Sequence, residues 1–294
     1  MTGSGGMTSS SGTGGSLADV DPLAGVTKDN VQKVAPNFEF VEGPVWIAKE
    51  GVLLFSDIPK NTIHKLTPPS AISVFRMPSD NSNGLALDEK GLLIASEHGA
   101  RRVSRTLADK SVVPIVAEYM GKKLNSPNDV IVRSDGNVYF TDPPYGLNGQ
   151  PGELGFNGVF RVAPDKSVTL LAMDMQRPNG IALSPDQSKL YVTDTQTAEL
   201  RVFDVAADGA VSNGKKLVTT SPGPDGMGVD DAGNLYITTS AGVDVLRPDG
   251  TKWGLIEVAE QPANCAFGGA DRKTLYITAR TSLYSVVLNV PGKP

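Results

Sequence analysis

Six short turns in this sequence each carry an oxygen-bearing side chain directly before an apolar run. The six side chains are Glu42, Asn83, Asn128, Asn179, Asp225 and Asn264. Carboxylate and amide oxygens are the ligands that hard divalent cations prefer. If the turns converge on one point, two carboxylates face each other there, and a bound cation would offset their repulsion. The residue types therefore predict a metal site, provided that the fold brings the six turns together.

The elements that must position these turns repeat along the chain. Each turn opens a unit made of an apolar run, a polar or Gly turn and a second apolar run, as in NGLALDEKGLLIASE from Asn83. The units begin roughly 40 to 50 residues apart, which is the period of a propeller blade built from several short strands. We therefore predict an all-β fold, a six-bladed β-propeller with four antiparallel strands per blade and the six turns around its axis.

The last unit, which starts at Asn264, supplies three strands and lacks a fourth. The segment at 30–36 belongs to no unit of its own and resembles the outer strands of the other units. We predict that this N-terminal strand completes the last blade, closes the ring and covers an edge strand.

The first residues form a low-complexity run of Gly, Ser and Thr. Because this composition buries too little apolar area to order itself, we assign residues 1–25 to a disordered tail and residues 26–294 to the propeller. The run lacks the basic start and apolar core of a signal peptide. It is interpreted either as a plain linker or as the spacer behind a removed export signal, so a cytoplasmic and a periplasmic location both stay open.

Composition narrows the class of partner. The chain has 294 residues and a formal charge of −5, which argues against binding to nucleic acid or to an anionic membrane. No apolar run reaches transmembrane length, so no membrane span is expected. A single cysteine, Cys265, excludes an internal disulfide and a cysteine zinc site.

A second set of polar residues is expected on the same face of the ring. In an up-and-down blade the second strand returns to the face where the first begins, so the residues after each second strand lie beside the six turns. This set includes Glu97, His98, Asp142, Tyr145 and Arg280. The candidate substrate-binding residues from both sets are Asn83, His98, Asn128, Asp142, Tyr145 and Asn264.

A purely structural interpretation of the turns must be weighed against the metal site. Asn and Asp before Gly are ordinary turn formers that tolerate left-handed backbone geometry, so any one of these turns alone indicates only a turn. Two observations favour a site: the same position is polar in every unit, and Glu42 stands where a turn former is expected.

At these residues the sequence resembles the SMP-30/gluconolactonase/LRE-like family, in particular its bacterial sugar-lactonase branch. The resemblance runs from about residue 30 to the end of the chain. It is carried by five motifs in order, EGPVW, LNSPNDV, FTDPPYG, RPNGIALSPD and GPDGMGVD. The run EHGARRV is similar to a further family motif but has Ala100 where the family commonly has Asn, which puts a contact from that position in doubt.

The resemblance implies one catalytic divalent metal ion in the central channel and a small-molecule lactone as substrate. The metal ligands would be Glu42, Asn179 and Asp225, with Asn128 binding metal or substrate. Asp225 also matches the residue proposed in the family as general base. Ca²⁺ is the first expectation for the ion, with Mg²⁺, Mn²⁺, Zn²⁺ and Fe²⁺ as alternatives, and the protein is expected to be a monomer or a dimer.

The chemistry that such a site supports is ring opening of a sugar lactone, with the metal polarising the carbonyl and a carboxylate activating water. A carboxylate bound to the metal is ordinarily too acidic to act as a base, so Asp142 and Glu97 stay open beside Asp225. A nucleophilic triad is disfavoured because the chain has two histidines, His64 and His98, and no G-x-S-x-G motif.

Two alternatives to a sugar lactonase remain. The same metal propeller could hydrolyse another ester, such as an organophosphate or a non-sugar lactone, because the metal ligands would be shared and only the surrounding residues would differ. A propeller that binds a ligand without catalysis, with a purely structural cation, is the third reading.

Overall fold

A computed structural model describes residues 16–293 as a ring of four-stranded antiparallel sheets. Six such sheets surround a central axis, so the predicted six-bladed β-propeller is confirmed. The helical elements of this part of the chain are three short 3-10 turns at Leu17–Asp19, Lys28–Asn30 and Tyr145–Leu147. None of the helices in residues 16–293 has the length and apolarity that crossing a membrane requires.

Each blade takes its strands from inside to outside in chain order. Blade 1 follows β1 (Gln32–Ala35) and contains β2 (Val41–Ile47), β3 (Val52–Asp57), β4 (Thr62–Thr67) and β5 (Ala71–Arg76). Blade 2 contains β6 (Ser82–Leu87), β7 (Leu93–Glu97), β8 (Arg102–Thr106) and β9 (Val112–Val116). A small hairpin of β10 (Glu118–Tyr119) and β11 (Lys122–Lys123) then leads to the third blade.

The remaining blades follow the same order. Blade 3 contains β12 (Val130–Val132), β13 (Val138–Asp142), β14 (Gly158–Val162) and β15 (Val168–Ala172). Blade 4 contains β16 (Pro178–Leu183), β17 (Lys189–Asp194), β18 (Glu199–Val205) and β19 (Val211–Thr219). Blade 5 contains β20 (Met227–Val229), β21 (Leu235–Thr239), β22 (Gly242–Leu246) and β23 (Lys252–Ile256). Blade 6 contains β24 (Pro262–Gly268), β25 (Thr274–Ala279) and β26 (Ser282–Val287).

The N-terminal strand closes the ring as predicted. β1 pairs antiparallel with β26, so that Gln32 lies opposite Ser285 and Ala35 opposite Leu283. This pairing gives blade 6 its fourth strand and covers an edge that would otherwise expose unpaired backbone groups.

The apolar core lies between neighbouring blades. Trp46 of blade 1 stacks on Tyr276 of blade 6 with ring centroids 5.6 Å apart, and Tyr139 of blade 3 packs with Ile181 of blade 4. Successive side chains of a strand point to opposite faces of its sheet. Neighbouring blades cover both faces of each sheet near the axis. The second strands are therefore buried along almost their whole length and are nearly continuous apolar runs.

Hydroxyl groups near the ends of the second strands connect blades 1, 3, 4 and 5 to the blade that follows each of them. The Ser56 Oγ donates to the Asn83 carbonyl at 2.8 Å, and the Thr141 and Thr193 Oγ1 atoms donate to the Asn179 and Asp225 carbonyls at 2.7 and 2.8 Å. These bonds hold the first residues of neighbouring inner strands at a constant spacing around the axis.

The division into a tail and a propeller stays a prediction. Residues 1–15 lie outside the described part of the chain. Within the described part, Leu23, Val26 and Val31 pack against the apolar cluster formed by blades 5 and 6.

Removing β1 tests ring closure. Deleting residues 1–35 exposes the edge of β26 and strips the contacts of Ala35 with the blade 1 and 6 cluster, so we expect a melting temperature lower by about 10 °C or aggregation. The matched control deletes residues 2–15 and should keep the melting temperature of the full chain. Equal melting temperatures for both deletions would contradict the closing role of β1.

Candidate active site

The six predicted turn residues do converge. Each lies at the start of an inner strand, and we call this group the hub: Glu42, Asn83, Asn128, Asn179, Asp225 and Asn264. The face of the ring at which the inner strands begin is called the hub face. Five of the six side chains are buried, and Asp225 is partly exposed.

Irregular strand pairing turns these side chains toward the axis. The pairing of β2 with β3 shifts between Glu42 and Val45, and equivalent shifts occur in blades 2, 4 and 6 at the same place. Such a bulge leaves residues out of the ladder and re-aims a side chain. The hub residues therefore point inward, although the strands that follow them are regular.

Close backbone approach explains the glycines that follow the hub residues. Gly43 has a φ of +51°, and a Cβ there would overlap the Asn83 carbonyl of the next blade. At Gly226 a Cβ would overlap the side chain of Asn264. The inner strands thus touch directly around the axis, which only a residue without a side chain permits.

Asp129 is a hub carboxylate that sequence reasoning missed. It occupies the position that is Gly in blades 1, 2, 4 and 5, and its side chain is buried. Its two oxygens accept from the backbone N–H groups of Val130 at 3.0 Å and of Ile181 in blade 4 at 3.3 Å. The sequence signal for Asp129 is the NDV of the third unit, where an acidic residue replaces the glycine that usually follows the hub residue.

Neighbouring carboxylates oppose ionisation at the hub. Burial and then the charge of Asp129 raise the pKa of Asp225 to about 7, and burial raises the pKa of Asp129 to about 6. Burial and then the charge of Asp225 raise the pKa of Glu42 well above its usual range. A divalent cation among them would offset this repulsion.

The amide groups of the hub are oriented by their partners. The Asn179 Nδ2 donates to Thr195 Oγ1 at 3.0 Å, and that hydroxyl donates to the Pro224 carbonyl at 2.8 Å. Because this bond uses the amide nitrogen, the Asn179 Oδ1 is available to another partner. Asn128, predicted as a ligand for metal or substrate, is buried at the start of blade 3, where its backbone N–H donates to the Thr141 carbonyl at 2.8 Å.

Asn83 shows the same arrangement, with His98 as its partner. The Asn83 Nδ2 and the His98 Nε2 are 3.4 Å apart, and the Asn83 Oδ1 is buried without a hydrogen bond from the described residues. Burial lowers the pKa of His98 to about 4, so its ring is neutral near pH 7 and accepts from the amide. Asn264 differs, because its Oδ1 accepts from the Cys265 backbone N–H at 2.8 Å.

The segment that follows β13 places Tyr145 at the hub face. The Ser126 Oγ donates to the Pro143 carbonyl at 2.6 Å and accepts from the Gly146 N–H at 2.8 Å, which holds the turn from both sides. The Tyr145 hydroxyl lies beside Asn179 and Thr195, has no hydrogen bond of good geometry, and has its pKa raised by burial. It is therefore a neutral hydroxyl next to a hub residue.

Two other predicted carboxylates are fully buried. The Asp142 Oδ2 accepts from the Asn125 N–H at 2.7 Å, its Oδ1 has no hydrogen-bond partner among the described residues, and burial raises the pKa of Asp142 to about 7. Glu97, also fully buried, is bound by Arg76 at 2.8 Å and Arg102 at 2.5 Å. Both hold loops of the hub face together. Of the carboxylates considered as a general base, Asp225 alone is partly exposed.

A cavity of about 370 Å³ runs along the axis on the other side of the hub. Asp129 and Asn264 line its hub end, whereas its walls are apolar side chains of the inner strands such as Leu85, Ile181 and Met227. Asn83, His98, Asp142 and Tyr145 do not line it. A polyhydroxyl ligand would find few polar partners in this cavity, so the polar hub face is the better candidate for substrate.

The donor set of the hub fits a hard divalent cation. Carboxylate and amide oxygens surround the axis, the Asn83 Oδ1 is buried without a partner, and the carboxylates repel one another. Among residues 16–293 no three side chains of His, Cys, Asp and Glu form a ligand cluster. A site here must therefore combine carboxylates with amides, as the predicted set of Glu42, Asn128, Asn179 and Asp225 does.

Fold and site together define a six-bladed propeller with an oxygen-lined axial site. The family model described as "SMP-30/Gluconolactonase/LRE-like region" matches residues 40–281. The chain belongs to this family.

Several relatives are similar over most of their length. A gluconolactonase of Zymomonas mobilis is 35% identical in an alignment that covers 87% of this chain and 80% of that protein. The pentonolactonase XacC of Haloferax volcanii is 30% identical and covers 81% of this chain and 80% of its own. The solved structure of a gluconolactonase from Xanthomonas campestris is 33% identical, with a TM-score of 0.83 over 88% of this chain and 89% of that one.

The raised pKa values predict how metal-free protein responds to pH. The pKa of an unfolded Asp is about 4, whereas that of folded Asp225 is about 7. The folded state thus favours the protonated form, and this contribution to stability is complete below about pH 4 and is lost as the pH rises through 7. The free energy of unfolding of chelator-treated protein should therefore fall more between pH 5 and pH 8 than that of Asp225→Asn.

Urea unfolding of both proteins at the two pH values measures this difference. The His98 contribution acts in the opposite direction, because its lowered pKa costs stability as the pH falls toward 4, but it is common to both proteins and cancels. Parallel pH curves for the two proteins would contradict the assignment.

Proposed function

We propose that this protein opens the ring of sugar lactones by metal-assisted hydrolysis at the hub. It is a carboxylic-ester hydrolase of the lactonase type, and its relatives include gluconolactonases and a pentonolactonase. The observation that carries the proposal is the meeting of oxygen donors and mutually repelling carboxylates at one point of the axis, where Asp225 is the partly exposed member.

Glu42, Asn128, Asn179 and Asp225 would hold the metal ion. When bound, the cation polarises the lactone carbonyl and lowers the free energy of the developing oxyanion. The oxygen-only donor set favours Ca²⁺, with Mg²⁺, Mn²⁺, Zn²⁺ and Fe²⁺ as the alternatives. Glu42 accepts from the Gly43 N–H at 2.9 Å, so one of its oxygens is oriented by the backbone.

Asp225 would take the proton from the attacking water. Its backbone is held on both sides, because its N–H donates to the Thr238 carbonyl at 2.9 Å and its carbonyl accepts from Thr193 Oγ1 at 2.8 Å. Asp225 is the one hub acid in the described part of the chain whose residue is not fully buried, so we place the attacking water beside it. A base must lie within hydrogen-bond reach of the proton that it removes, which a fixed backbone favours.

The neutral polar groups around it would bind the substrate hydroxyls. Asn83, oriented by neutral His98, and the Tyr145 hydroxyl beside Asn179 supply donors and acceptors without adding charge. Asn264 lies at the hub and completes this polar ring. In contrast, enclosed Asp142 would act by fixing the Asn125–Ser126 segment and not by touching substrate.

Add-back of metal tests the function directly. Hydrolysis of glucono-1,5-lactone is followed in a pH-stat with chelator-treated protein, before and after addition of Ca²⁺, Mn²⁺ or Zn²⁺, against a blank without protein. We expect turnover only with a cation, and a loss of about 100-fold or more in kcat for Asp225→Asn because both a ligand and the base are removed.

The control variant is Asp174→Asn, an exposed carboxylate that pairs with Arg201 on the third strand of blade 4 and should keep full activity. Absence of turnover with every cation would overturn the lactonase proposal. Thermal stabilisation by a cation without turnover would favour a ligand-binding propeller, and turnover of other esters alone would favour a different hydrolase.

The orientation of Asn179 gives a second test. Thr195→Val removes the hydroxyl that accepts from the Asn179 Nδ2, so the amide is free to flip and cation affinity should fall by about 10-fold, as measured by calorimetric titration. Thr220→Val is the matched control, since its hydroxyl bonds the Ala198 and Ser221 carbonyls away from the hub. Equal dissociation constants for both variants would remove Asn179 from the ligand set.

A further inference from the structure

Two arginines of the hub face lie next to hub residues and have no carboxylate partner. Arg177 precedes Asn179 by two residues in blade 4, and Arg280 follows β25 in blade 6. Both side chains are exposed, and neither forms an ion pair with another residue of the described range 16–293. They flank blade 5, whose inner strand begins beside Asp225.

The backbone of each arginine is tied to the hub. The Arg280 carbonyl accepts from the Val41 N–H at 2.9 Å, directly before Glu42. The Arg177 carbonyl accepts from the Thr195 N–H at 3.1 Å, and its own N–H donates to Asp194 at 3.0 Å. Neither arginine therefore sits on a free loop.

Each guanidinium is also held over an aromatic ring. The Arg177 Cζ lies 5.6 Å from the centroid of Tyr145, and the Arg280 Cζ lies 5.6 Å from that of Phe40. Arg280 further donates to the Gln261 side chain at 2.6 Å and is close enough to lower the pKa of Asp225. Stacking fixes the plane of a guanidinium and leaves N–H groups at its edge for an anion.

The other arginines of this face are differently arranged. Arg76 and Arg102 bind buried Glu97, and Arg101 pairs with Glu153 at 3.3 Å while donating to the Leu124 carbonyl at 2.7 Å. The charges of these three arginines are therefore balanced by carboxylates of the protein. Arg177 and Arg280 are the described hub-face arginines whose charge is left without a counter-ion.

We propose that Arg177 and Arg280 bind an anionic group of the substrate, so that the preferred substrates are sugar lactones with a carboxylate, phosphate or sulfate away from the ring carbonyl. Planar guanidinium edges recognise such groups through charge-assisted hydrogen bonds. This inference rests on the proposed function, because it names the substrate class of the same site.

Paired neutral and anionic lactones test it. We would compare kcat/KM for glucono-1,5-lactone with its 6-phosphate, and for glucono-1,4-lactone with glucaro-1,4-lactone, using the full chain with the activating cation. The anionic member of at least one pair should be favoured by about 10-fold or more, and the preference should shrink at high ionic strength. The pair that responds distinguishes a phosphate from a carboxylate.

Variants then assign the preference to the two residues. Arg177→Gln and Arg280→Gln should each lower kcat/KM for the anionic lactone about 10-fold, mainly through KM, with a smaller loss for the neutral one. Arg247→Gln is the matched control, because Arg247 also stacks on an aromatic ring, 3.5 Å from the centroid of Trp253, and lies in the turn after β22 on the other face. It should leave both activities unchanged.

The outcomes separate the two proposals. Turnover of neutral lactones with no preference for either anionic partner overturns this inference and leaves the lactonase function standing. Equal losses for neutral and anionic lactones in both variants also overturn it, because they indicate a structural role for the arginines. No turnover of any lactone removes the proposed function itself.

Discussion

The convergence of six inner strands on one axis forces polar groups into contact where water is scarce. Gly43 and Gly226 bring the backbones of neighbouring blades so close that no side chain fits between them. The same convergence brings Glu42, Asp129 and Asp225 near one another, and the charge of Asp129 opposes the ionisation of both Glu42 and Asp225. Burying carboxylates in this way is unfavourable unless a cation or a proton compensates. The groups that could do chemistry at the hub are thus buried where their ionised form is unfavourable without a compensating charge.

Much of the surrounding structure holds this unfavourable centre in place. In four of the blades a Ser or Thr hydroxyl of the second strand donates to a carbonyl of the next blade, and β1 closes the ring against β26. Buried carboxylates such as Asp142 and Glu97 fix the loops of the hub face. Because these contacts join residues of different blades, the position of each hub side chain depends on the whole ring. A local change in one blade would therefore shift the hub side chains at the axis.

The two ends of the channel differ in chemistry. Away from the hub face the axis is a cavity of about 370 Å³ with apolar walls, whereas the hub face carries amides, hydroxyls and two unpaired arginines within the described residues. A polar, flexible sugar derivative is recognised by oriented donors and acceptors and gains little from apolar walls. The asymmetry of the channel therefore favours one side of the ring for substrate.

The repeat of short apolar runs was enough to predict the fold, the number of blades and the closing strand, because these depend on local periodicity and on counting strands. The recurrence of one oxygen side chain per unit also predicted that the six hub residues would converge. The role of Asp129 was not visible in the same way, since its effect comes from Ile181 and from carboxylates far away in the chain. The orientation of Asn179 by Thr195, the burial of Asp142 and the lack of a carboxylate partner for Arg177 and Arg280 among the described residues likewise depend on contacts between distant residues. A pattern in the sequence specifies which residues approach the axis, but only the packed ring decides which atoms face it.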